Sequence, residues 1–134
     1  MILNVFTDGG SRGNPGISGY GVVIKADSKT IYRESKSLGI KTNNEAEYYA
    51  LISAIKWIVQ EHPTAEKIVF HSDSELVIRQ VTGIYKMKAL NLKPLLQQVH
   101  SLLSQLSLPY DFKIIPRELN VDADKLANQA MNKL

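Results

Sequence analysis

One change of period governs what this chain can become. Before residue 42 it reads as three strands in quick succession. Residues 2–8 (ILNVFTD) are apolar on both faces, and 19–26 (GYGVVIKA) form a second run. After the polar turn Asp27-Ser28-Lys29, residues 30–38 (TIYRESKSL) alternate as a half-buried strand does. From 43 to 61 the repeat becomes helical. Ala46, Tyr49, Ala50, Ser53, Ala54 and Trp57 share one face, and Leu51, Ile52, Ile55 and Ile58 widen the apolar arc. A helix apolar over so much of its surface must be central and buried. Its start is written TNNE: Thr42 as N-cap with Glu45 three residues on makes a capping box, and Pro63 supplies the stop.

The remainder alternates. A strand over 67–72 (KIVFHS) leads into a short helix over 74–81, broken by Thr82-Gly83, and then a basic loop over 84–93 (IYKMKALNLK). An amphipathic helix follows over 94–106, with Leu95, Leu96, Val99, Leu102, Leu103 and Leu106 apolar. A fifth strand over 110–115 (YDFKII) precedes a closing helix over 120–134, with Ala123, Leu126, Ala127, Ala130 and Leu134 inward. The order βββ-α-β-α-α-β-α predicts a single α/β domain over 1–134, a mixed sheet with helices packed on its faces. The length of 134 residues suits one such core, and no repeat or linker interrupts it.

Composition narrows the chemistry. With no cysteine, disulfides, thiolate zinc sites and a cysteine nucleophile are excluded, and a reducing compartment fits. No basic-then-apolar leader and no apolar run of membrane length is present, so the expectation is a cytoplasmic monomer away from membranes. A net charge of +3 permits a polyanionic partner without demonstrating one.

Four acidic residues stand in odd places. Asp8 ends the first strand, and Asp73 ends the fourth, in FHSDSELV. Glu47 lies on the helical turn shared with Ala50, Leu51 and Ala54; Asp124 lies near the start of the last helix, in NVDADKLA. A carboxylate on a face of Ala and Leu is costly unless paired. A hard divalent cation such as Mg²⁺ pairs with it through oxygen ligands and keeps waters for substrate. Carboxylates converging on two ions roughly 4 Å apart would build a phosphoryl-transfer site. If strands one and four run parallel, Asp8 and Asp73 sit at their carboxyl ends, where open α/β sheets bind ligands. Spacing alone leaves another reading open. An aspartate at a strand end also makes a turn or a cap, and Asp73-Ser74 reads as a cap of the next helix. Glu45 belongs to the capping box, and Asp122 is explained by the helix dipole. Periodicity does not prefer Asp124 over Asp122.

Four motifs in order, TDGGSRGNPG with GYGVV following, TNNEAEYYAL, SDSELV and NVDADKLANQA, resemble type 1 ribonuclease H over nearly the whole chain. The short prokaryotic members that consist of the catalytic domain alone are particularly similar. The resemblance implies a ribonuclease H-like fold: a five-stranded mixed sheet flanked by helices, strands one to three antiparallel, four and five parallel to one. It implies an endonuclease that hydrolyses the RNA strand of RNA–DNA hybrids. The family's metal-binding carboxylates fall on Asp8, Glu47, Asp73 and Asp124. Two Mg²⁺ ions, with Mn²⁺ as a substitute, would act at the scissile phosphate and leave 5′-phosphate and 3′-hydroxyl ends. The hybrid is told from DNA by its 2′-hydroxyls.

By the same similarity, backbone near Gly9, Gly10 and Ser11 and the side chains of Asn14, Asn43 and Asn44 approach the RNA sugars and base edges. Thr42 is placed to bind a DNA-strand phosphate at a helix start, a role compatible with capping. Lys86 and Lys88 sit where larger members carry a longer basic protrusion; they read as a reduced phosphate contact or as an ordinary solvated loop. Asn120 is counted with the substrate-binding residues and reads also as a helix N-cap or as a hydrogen bonder behind the metal ligands.

The sequence departs from the pattern after strand five. Many members carry a loop histidine there, whereas IIPRELN has none. Arg117 is the nearest substitute. A guanidinium is no general base near neutral pH, but it can hold a phosphate or assist a leaving group. Glu118 is a second candidate, as an extra carboxylate. Among the histidines, His71 reads as a packed or hydrogen-bonded strand residue. Two further readings stand beside the hybrid nuclease: a broader enzyme that also cuts double-stranded RNA, and a catalytically idle binding module.

Overall fold

The first strand, β1 (Ile2–Arg12), runs straight through Asp8 and the glycines that follow it. It does so because β2 (Gly16–Ala26) pairs with it antiparallel over its length, Asp8 opposite Gly21 and Arg12 opposite Ile17. The expected end of this strand at residue 8 is therefore corrected: the turn is confined to residues 13–15. β3 (Lys29–Lys41) completes the meander, antiparallel to β2.

The computed structural model describes residues 1–132. After the meander come α1 (Asn43–Glu61), β4 (Lys67–Ser72), α2 (Glu75–Val81), α3 (Lys93–Leu103) and β5 (Tyr110–Ile114). A 3-10 turn, Arg117–Leu119, leads into α4 (Val121–Asn132). The strand order is β3-β2-β1-β4-β5, with β4 parallel to β1 and β5 parallel to β4. The third helix ends three residues earlier than its apolar pattern suggests, and the inward placement of Leu134 falls outside the described residues. No described helix is long and apolar enough to cross a membrane.

Helix α1 begins as its sequence prescribes. Thr42 Oγ1 accepts from the Glu45 N–H at 3.1 Å, and the Thr42 N–H donates to Glu45 Oε1 at 2.9 Å. The helix ends at His62, which turns left-handed (φ 47°) and returns its N–H to the Ile58 carbonyl. The main core forms between α1 and one face of the sheet, where Leu3, Val5, Val22, Ile24, Ile55, Ile68 and Val99 are fully buried.

The glycines are where helices meet strands. A Cβ on Gly9 would stand 2.3 Å from the Ala46 carbonyl carbon of α1. One on Gly21 would stand 2.3 Å from the Ala123 carbonyl oxygen of α4. No side chain fits between backbones this close, so Gly9 and Gly21 seat two helices on the sheet. Ser35 and Ser37 of β3 tie α4 down by donating to the carbonyls of Leu126 and Ala130, at 2.6 and 2.5 Å.

Candidate active site

The sheet opens where β1 and β4 part. Their parallel pairing ends at Phe6 with His71; β4 stops at Ser72, while β1 continues with β2 alone. Asp73, the first residue beyond β4, thus stands level with Asp8. The two strands deliver both carboxylates to one place, and α1, seated on Gly9, delivers Glu47. Ligand oxygens of Asp8, Glu47 and Asp73 all lie within 4.8 Å of one another. The Gly9 N–H donates to Glu47 Oε1, fixing that carboxylate against the strand. Asp124 enters from the α4 side with its carboxyl against that of Asp8. Arg117 Nη2 lies 3.8 Å from Asp124 Oδ1 at the exposed rim.

Like charges this close resist joint ionisation. Burial first, then the charge of Asp73 and contact with Asp124, push the Asp8 carboxyl from the usual 3.8 up to about 8. Glu47 is raised by burial and by the charges of Asp8 and Asp73. Asp73 is raised by burial, against the opposing pull of its own backbone N–H, of Arg117 and of the Asn120 side chain. An all-oxygen donor set of close carboxylates that resist joint ionisation fits a hard divalent cation, which offsets their repulsion and binds through carboxylates and water. The carboxylates face a cleft of about 630 Å³ that opens to solvent.

Several expected contacts line this cleft: Gly9, Gly10, Ser11, Asn43, Asn44 and Arg117. Others are occupied. Asn14 Oδ1 accepts from the Asn43 N–H at 3.0 Å, and Asn43 Oδ1 accepts from the Ser11 N–H at 2.6 Å. These two amides bind the 13–15 turn to the start of α1. The Thr42 hydroxyl oxygen is engaged in its cap. Lys86 and Lys88 lie exposed in the loop between α2 and α3, outside the cleft lining. Asn120, expected among substrate contacts, is corrected: it is 1% exposed, with Nδ2 donating to the Thr7 carbonyl at 2.9 Å. It offers no surface to a substrate.

His71 stays out of the site. Its ring stacks on Phe6 at 4.4 Å and meets Asn4 Oδ1 at 3.2 Å; burial and then Lys113 lower its pKa. The cleft also has walls the sequence did not announce: Ile115, Asn128 and Met131. Asn128 was findable, since it lies four residues after Asp124 on one helical face. Met131 packs toward Gly10, a contact that follows only from the fold.

Comparison with known proteins places this geometry. The family described as reverse transcriptase-like matches residues 6–130. The ribonuclease HI of Halobacterium salinarum is 32% identical over 131 residues, 97% of this chain and 64% of its own length. The crystal structure of RNase H1 from that archaeon superposes with a TM-score of 0.91 at 31% identity, covering 100% of both chains. LC11-RNase H1, solved in complex with an RNA/DNA hybrid, gives 0.91 at 37% identity over 98% of this chain and 97% of its own. The chain belongs to the type 1 ribonuclease H family.

A ribonuclease H fold accounts for the five-stranded mixed sheet and for the strand order. A bifunctional protein of Mycobacterium tuberculosis shares 42% identity over 134 residues, 98% of this chain. The ribonuclease H-family chain spans only 36% of that relative's length. Among the described residues, the cleft lining of this chain carries no histidine, and Arg117 lies at its rim after β5.

Proposed function

We propose that this protein is a metal-dependent endonuclease that hydrolyses the RNA strand of RNA–DNA hybrids. The observation that carries the reading is the convergence of Asp8, Glu47 and Asp73 within 4.8 Å, with Asp124 beside them, in an open cleft. Asp8, Glu47, Asp73 and Asp124 would hold two Mg²⁺ ions, or Mn²⁺ in their place. When bound, the ions supply Lewis-acid polarisation of the scissile phosphate and an acidified water, giving 5′-phosphate and 3′-hydroxyl ends. The chain's own groups do the rest. Glu47, locked by the Gly9 N–H, keeps one oxygen aimed into the site. Arg117, exposed and beside Asp124, offers its free guanidinium edge to a phosphate.

The RNA strand is read at the β1 wall, where Gly10, Ser11, Asn43 and Asn44 meet the cleft and can address 2′-hydroxyls. Asn14 contributes by holding that wall in place, and Thr42 lies at the N-terminus of α1, whose dipole favours a DNA-strand phosphate. Support comes from the hybrid-bound RNase H1 of like fold. The protein is read as a monomer that works in the cytoplasm.

End-labelled RNA offered as hybrid, as RNA duplex and as single strand, with and without Mg²⁺, tests this. Cutting of the hybrid far above the other forms, and only with metal, is expected. Equal cutting of the RNA duplex would replace the reading with a broader ribonuclease. No cutting of hybrid in Mg²⁺ or Mn²⁺ would leave an idle binding module.

A further inference from the structure

We propose that Asn120 is a positioning residue of the carboxylate site: its buried side-chain amide fixes where Asp124 stands relative to Asp8. The inference rests on reading the cleft as a metal-dependent nuclease. Asn120 sits at the joint between the 3-10 turn and α4. Its main-chain N–H donates to the Arg117 carbonyl, and its carbonyl accepts from the Asp124 N–H, both at 3.0 Å. Its Nδ2 donates to the Thr7 carbonyl at 2.9 Å, across 113 residues of sequence. Thr7 immediately precedes Asp8 and is itself buried. One residue therefore grips the amide of Asp124 through its main chain and the strand of Asp8 through its side chain. Arg117, whose guanidinium faces Asp124, is held by the same residue.

The place of the contact explains why an amide is needed. Past the pairing of Phe6 with His71, β1 has lost β4 as a neighbour, and the Thr7 carbonyl takes the Asn120 amide. A carbonyl only accepts, so the amide nitrogen must face it. Asn120 Oδ1 is then turned away, buried and without a partner among the described residues. An apolar side chain would remove that unmet acceptor but leave the Thr7 carbonyl without its donor. A polar residue kept against that cost points to its donor, and groups behind metal ligands commonly tune them in this way.

The test compares wild type with Asn120→Ala and Asn120→Ser for hybrid cleavage, thermal melting and calorimetric Mg²⁺ binding. Asn120→Ala should lower kcat about 10- to 100-fold with KM for hybrid nearly unchanged, and should weaken Mg²⁺ binding by a similar factor. Asn120→Ser, which keeps a short donor, should fall between. A lowered melting temperature with unchanged Mg²⁺ binding and kcat would overturn the proposal, because that is what a purely structural amide does. Should neither variant fold, a Mg²⁺ titration of the wild-type protein by NMR decides. The Asn120 side-chain NH2 signals should move with the Asp124 amide at one midpoint, and their failure to move would overturn it. Wild-type protein that binds Mg²⁺ yet cuts no hybrid would sink the nuclease reading while the binding data still judged Asn120.

Discussion

At the scale of single residues, the site is a cluster of acids kept together against their own repulsion. Glu47 shares that tension, and Asp8 shows what it does. The folded protein holds its proton up to about pH 8, whereas an unfolded chain releases it near 3.8. The folded state therefore binds more protons across that window, and metal-free stability must fall as pH rises through it. The melting temperature of the metal-free protein should drop between pH 5 and 9, and Mg²⁺ should raise it more at pH 9 than at pH 6. Asp8→Asn should flatten the profile and melt above wild type at pH 9. A pH-independent melting temperature would refute the account of the cluster. Glu47 stood out in the sequence because a charge among Ala and Leu is out of place, whereas Asp124 did not stand out from Asp122 until the family resemblance chose it. Asn120 had three readings in the sequence, substrate contact, N-cap and hydrogen bonder behind the ligands, and its contact with the Thr7 carbonyl chooses the last.

At the scale of elements, the helices position the site by how closely they approach the sheet. The long helix and its cap could be read directly: apolar period, TNNE and Pro63 all mark the same segment. The end of β1 was misplaced at Asp8, since the Gly-rich run after it has no side-chain alternation, and nothing local says that a helix fills the space above it. Gly9→Ala tests this. A Cβ 2.3 Å from a helix carbonyl carbon forces α1 off β1, moving Glu47 with it. Urea denaturation should show a loss of roughly 3 kcal/mol or more, the upper range of overpacking, and cleavage should fall. A variant as stable as wild type would contradict the packing. Thr42→Ala removes the cap and should cost about 1 kcal/mol in the same assay.

At the scale of the whole molecule, sheet order is what no period could supply. Alternation gives strands, but the order β3-β2-β1-β4-β5 decides that β1 and β4 part beside Asp8, a point reached from the residues only on the condition that strands one and four run parallel. The domain carries a net charge of +3 with an acidic cleft, so binding a polyanion depends on cations in that cleft. Hybrid affinity, followed by fluorescence anisotropy, should fall linearly on a log–log plot as salt rises. Without Mg²⁺, Asp73→Asn should bind hybrid more tightly than wild type, since it removes a repelling charge; weaker binding would contradict this.

We propose that Asp8, Glu47, Asp73 and Asp124 act together through bound metal. Mg²⁺-dependent cleavage of an RNA-labelled hybrid by the four single variants Asp8→Asn, Glu47→Gln, Asp73→Asn and Asp124→Asn measures it most directly. Each should keep the wild-type circular dichroism spectrum. Those at positions 8, 47 and 73 should lose at least about a hundredfold in rate, the scale of several kcal/mol of lost charge stabilisation. A folded variant at any of these three positions that cuts hybrid at the wild-type rate would contradict the account.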